Sequence, residues 1–113
     1  MRDPLVKAYG HVYPVTPALY AALESALHDA LNDDEDVPLL CQEGDMARIS
    51  MEGSYFPEDE VVEAFRAHLT PDMQGKLDVL DMDCWRLTRH VFTGGQVKSS
   101  SAPLNNVLDY SGH

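Results

Sequence analysis

The stretch Met46-Ala47-Arg48-Ile49-Ser50-Met51-Glu52 alternates without a break, with Ala47, Ile49 and Met51 on one side and Arg48, Ser50 and Glu52 on the other. A period of two residues is that of a strand with one face buried and one face wet. Gly44-Asp45 just before it forms a turn, and Pro38-Leu39-Leu40-Cys41-Gln42 reads as the hairpin partner. Helical patterns flank this hairpin. Upstream, Thr16 is placed to cap a helix opened by Pro17, with Leu19, Leu23, Leu27 and Leu31 recurring every four residues and an end expected near Asn32. Downstream, Pro57-Glu58-Asp59-Glu60 opens a second helix, its acids in the first turn where the helix dipole favours them. Val61, Val62, Phe65 and Leu69 form its inner face.

Thr70-Pro71 ends that helix, and Met73, Leu77 and Leu80 keep helical spacing for a third, weakened by Gly75. Alternation returns from Cys84 to Phe92, with Trp85, Leu87 and Val91 on one face and Arg86, Thr88 and His90 on the other. Thr93-Gly94-Gly95 turns the chain back into a strand from Gln96 to Ser101. Pro103-Leu104 starts a short helical turn anchored by Val107 and Leu108, and Leu5 to Tyr13 adds an edge strand. The expected architecture is one α+β domain over residues 1–113, a small antiparallel sheet of about four strands with two or three helices on one face.

Acid is unevenly placed. The chain has 113 residues, 44% hydrophobic and 24% charged, and a net charge of −11. Residues 24–83 hold 17 of the 19 acids against Arg48, Arg66 and Lys76, a balance of −14 between mildly basic ends. That field disfavours nucleic acid and anionic lipid, whose binding needs cations, and favours a basic protein surface as partner. Three groups are the candidate contacts: Asp33, Asp34, Glu35 and Asp36 in a loop; Glu58, Asp59, Glu60 and Glu63 at a helix start; and Asp78, Asp81 and Asp83.

Signals for catalysis or metals are sparse. Asp33 to Asp36 lack the glycine and the glutamate of a calcium loop, and the histidines at 11, 28, 68, 90 and 113 lack ligand spacing. No cofactor is expected. Ser99, Ser100 and Ser101 have no base nearby in sequence, and Asp81 and Asp83 ahead of Cys84 disfavour its thiolate. Cys41 and Cys84 sit among apolar residues, as buried reduced thiols do. No membrane span or secretory signal is expected, which suggests a cytoplasmic protein.

In size and charge the chain is similar to the small acidic inhibitors of phages and mobile elements, including anti-restriction and anti-CRISPR proteins. That likeness implies a DNA mimic occupying the nucleic-acid channel of its target, not an enzyme. The alternative is a ligand-binding domain or enzyme with a pocket near Arg86, Arg89 and His90.

Overall fold

The computed structural model describes residues 5–30 and 38–104. Asp33 to Asp36, Leu31, Val107 and Leu108 lie outside the described residues. The elements run β1 (Val6–Tyr13), α1 (Pro17–Ala26), β2 (Leu40–Glu43), β3 (Met46–Gly53), α2 (Glu58–His68), β4 (Gln74–Asp81), β5 (Arg86–Thr93) and β6 (Gln96–Pro103). All six strands join one antiparallel sheet in the order β2-β3-β1-β4-β5-β6. The α+β class holds, with six strands rather than about four and two helices among the described residues. The first four strands and both helices form a split β-α-β-β-α-β unit, which the β5–β6 hairpin extends.

α1 forms as its cap requires, whereas α2 starts after Pro57 with no side-chain cap and with Glu58, Asp59 and Glu60 in its first turn. Thr16 Oγ1 accepts from the Leu19 N–H at 3.1 Å, and Pro17 occupies the first helical position. This helix stops at Ala26, short of Asn32. After the Leu27 N–H reaches Leu23 O, the His28 and Ala30 N–H groups switch to carbonyls three residues back. Leu19, Leu23 and Leu27 are buried with Val61 and Phe65 of α2 against Ala8, Val12, Ala47, Ile49, Met51, Leu77 and Val79 of the sheet. The Phe65 ring stacks on Phe92 of β5, centroids 3.9 Å apart.

Two assignments change. Residues 74–81 form a strand, not a third helix, and β1 is central rather than an edge. The same leucines fit either period, but burial of Leu77 and Val79 with exposure of Gln74 and Lys76 is the strand alternation. Gly75, which weakened the helix, is what lets β4 lie against β1. A Cβ there would stand 2.0 Å from the His11 carbonyl oxygen, far inside van der Waals contact.

Replacing Gly75 by alanine must push these central strands apart. Gly75→Ala is expected to lower stability by about 3 kcal/mol, seen as a lower urea midpoint; an unchanged midpoint would show that β1 and β4 do not approach this closely.

Candidate functional site

The register divides the charged side chains between two surfaces. On the helical surface, α1 with its following turn and α2 carry Glu24, Asp29, Glu58, Asp59, Glu60 and Glu63 against a single Lys or Arg, Arg66. The other face of the sheet has no helix over it among the described residues. It holds Lys7, Arg48, Lys76, Arg89 and Lys98 against Glu43, Glu52 and Asp78. Six of the thirteen described acids of residues 24–83 thus lie on the helical layer with only Arg66 against them, and the other seven lie on the strands and in the turns.

The candidate acids do not act as one patch. Asp59, Glu60 and Glu63 line a groove of about 580 Å³ between α1 and α2, floored by Ala22, Ala26 and Ala64. Glu63 holds Arg66 at 2.9 Å, whereas Asp59 and Glu60 make no ion pair among the described residues. Asp78 lies on the opposite face of the sheet, where its two oxygens take the Arg89 guanidinium in a fork at 2.7 and 3.0 Å. Hydrogen bonding to Asp78 raises the Arg89 pKa above its ordinary value. Asp81 accepts from the Asp83 and Cys84 N–H groups at 3.1 and 3.0 Å, shaping the turn between β4 and β5. That turn leaves Cys84 exposed and places Trp85 at φ +56, 41% exposed, instead of within a strand. A hydrogen bond from its thiol to Asp81, with the charges of Asp81 and Asp83, pushes the Cys84 pKa up.

Glu58 has a different role. His90 is only 6% exposed, beneath the first turn of α2 and not on a solvated strand face. Its Nε2 lies 2.6 Å from Glu58 Oε2 and its Nδ1 2.7 Å from Ser99 Oγ. A carboxylate can only accept, so Nε2 carries the proton, and in the neutral imidazole Nδ1 then accepts from the Ser99 hydroxyl. The chain Ser99–His90–Glu58 borders a small cleft of about 180 Å³ shared with Asp59, Val62 and Arg66. Sequence reading missed it because residues 58, 90 and 99 meet only through the β5–β6 pairing and the seat of α2. The signal available was His90 in phase with Phe92, an apolar residue of the helix-facing side.

The expected cluster of Arg86, Arg89 and His90 does not form. Arg89 is on the open face, while Arg86 reaches Ser101 Oγ at 3.1 Å on the helix side. Among the described residues no three His, Cys, Asp or Glu side chains converge as a metal site, and no helix is long and apolar enough to cross a membrane. No protein-family model, curated protein or solved structure matches the chain.

The acids around Cys84 make a kinetic prediction. Asp81→Asn removes the main cause of the raised thiol pKa, so alkylation of Cys84 by iodoacetamide is expected to quicken and its pH profile to move to lower pH. Peptide mass spectrometry over time reads this; an unmoved profile would show that Asp81 does not control the thiol.

Proposed function

We propose that the protein is a small acidic binding domain whose helical layer docks on a basic surface. In its sharpest form it is a DNA mimic that occupies the nucleic-acid channel of an enzyme or complex. The observation that carries this reading is the α1–α2 groove, with a floor of alanines and a rim of carboxylates. Lysine and arginine pair an apolar stem with a charged head, so their stems suit Ala22, Ala26 and Ala64 while their heads reach Asp59, Glu60 and Glu63. Attraction of this kind speeds encounter and weakens with salt.

A binding screen against immobilised nucleic-acid enzymes tests the reading when two variants of equal charge are compared. Asp59→Asn/Glu60→Gln/Glu63→Gln removes the rim, and Glu43→Gln/Glu52→Gln/Asp83→Asn removes the same charge elsewhere. Loss of about tenfold or more in affinity is expected from the rim variant alone, since losing charge pairs at a partner's surface costs on the order of 1–2 kcal/mol or more. Equal losses from both variants would reduce the effect to net charge and sink the proposal.

A second reading rests on Ser99–His90–Glu58, the groups of an activated serine in order. Ser99 is exposed and its Oγ would attack an activated acyl or phosphonyl centre. His90 Nδ1 would take the hydroxyl proton and pass it to the leaving group, while the Nε2 proton stays with Glu58. A fluorophosphonate probe is expected to modify Ser99 stoichiometrically and to fail on Ser99→Ala and His90→Gln. Absence of labelling on the parent protein would leave the chain as a structural tie between α2 and the edge hairpin.

A further inference from the structure

We propose that the open face of the sheet binds single-stranded nucleic acid. Six side chains carry the inference, four in a row across the strands and two tyrosines beside it. His11 on β1 lies opposite Arg48 of β3 on one side and Lys76 of β4 on the other. Continuing across the sheet, Lys76 lies opposite Val91, and Val91 opposite Lys98 of the edge strand. Arg48, His11, Lys76 and Lys98 thus form one row perpendicular to the strands. At about 4.8 Å per strand the row spans roughly 19 Å, enough for a short run of nucleotides.

Aromatic rings flank this row. Tyr9 and Tyr13 stand two residues either side of His11 on the same face of β1, about 7 Å away along the strand. Each is 42% exposed, and the His11 and Tyr13 rings already lie nearly parallel with centroids 6.1 Å apart. A concavity of about 610 Å³ runs between these residues, bordered also by Arg48, Lys76 and Asp78. Flat rings beside Arg48, Lys76 and Lys98 provide the two contacts a single strand requires, stacking for bases and charge for phosphates.

The cations differ in availability. Glu43 lies 3.5 Å from Arg48, Glu52 3.9 Å from Lys7, and Asp78 occupies Arg89. Lys76 and Lys98 make no ion pair among the described residues, so both can take phosphate without losing a partner. Net charge argues against such a ligand, and it was the ground for expecting no nucleic acid. The carboxylates of α1 and α2 other than Glu58, however, face solvent on the far side of the sheet. The row lies on the opposite side of the sheet from those acids, and exposed charges separated through solvent by more than the Debye length, about 8 Å at physiological salt, are largely screened from one another.

Fluorescence anisotropy with a short labelled oligouridine or oligothymidine, at low and rising salt, tests the proposal. Tyr9→Ala/Tyr13→Ala is expected to weaken binding about tenfold or more, with an unchanged circular dichroism spectrum because both rings are exposed. Arg48→Gln/Lys76→Gln is expected to weaken it and to flatten the salt dependence by about 0.7 log unit per lost phosphate contact. The groove variant Asp59→Asn/Glu60→Gln/Glu63→Gln should bind as tightly as the parent, which keeps this surface separate from the helical one. No binding at low salt, or binding indifferent to both open-face variants, would overturn the inference. So would an equal affinity for adenosine monophosphate, which would assign the same contacts to a free nucleotide instead of a strand.

Discussion

β1 is hydrogen-bonded on both edges, to β3 over residues 6–12 and to β4 over residues 6–13, and everything else is arranged about that double pairing. It requires backbone closeness that side chains would forbid. Gly10 and Gly75 face neighbouring carbonyls at distances where a Cβ has no room. Once β1 is locked between its neighbours, alternation assigns Ala8 and Val12 to the helices and Tyr9, His11 and Tyr13 to the opposite side. Register thus converts an eight-residue strand into a core wall and a row of accessible rings.

Two layers give the molecule two electrically different surfaces. The helices need apolar residues only along the stripe facing the sheet, and their outer sides are free to carry acid. The strands opposite present cations at alternate positions, partly neutralised by Glu43, Glu52 and Asp78. Separating the signs by the thickness of a layer reduces repulsion on the sheet face while leaving like charges crowded on the helices, where water and salt screen them. The Glu58–His90–Ser99 chain sits where the two layers meet at the end of the sheet, and it satisfies a histidine that would otherwise be buried without partners.

Local patterns were legible where one physical requirement dominated. The alternation of 46–52, the Thr16-Pro17 cap, the acidic first turn of α2 and the Gly94-Gly95 turn all appear in the structure, the two glycines at φ +61 and +77 as a tight hairpin demands. Reading failed where two periods shared the same residues. Met73, Leu77 and Leu80 fit a helix, and only the pairing with β1 and β5 selects the strand. In β5 the apolar set Leu87 and Val91 suggested the inner face, yet Phe92 and His90 occupy it because Phe65 supplies a ring to stack on and Glu58 a carboxylate to hold.

By itself the sequence determined the α+β class, the positions of most turns and caps, and the concentration of acid in the middle of the chain. Each follows from forces acting within a few residues: rotation per residue, φ preference and the field at a helix end. Tertiary structure decided that β1 is central, that Asp78 leaves the acidic group for Arg89, that Cys84 is exposed, and that residues 58, 90 and 99 meet. Those outcomes depend on register between strands distant in sequence, and a shift of one residue in register would reverse every face.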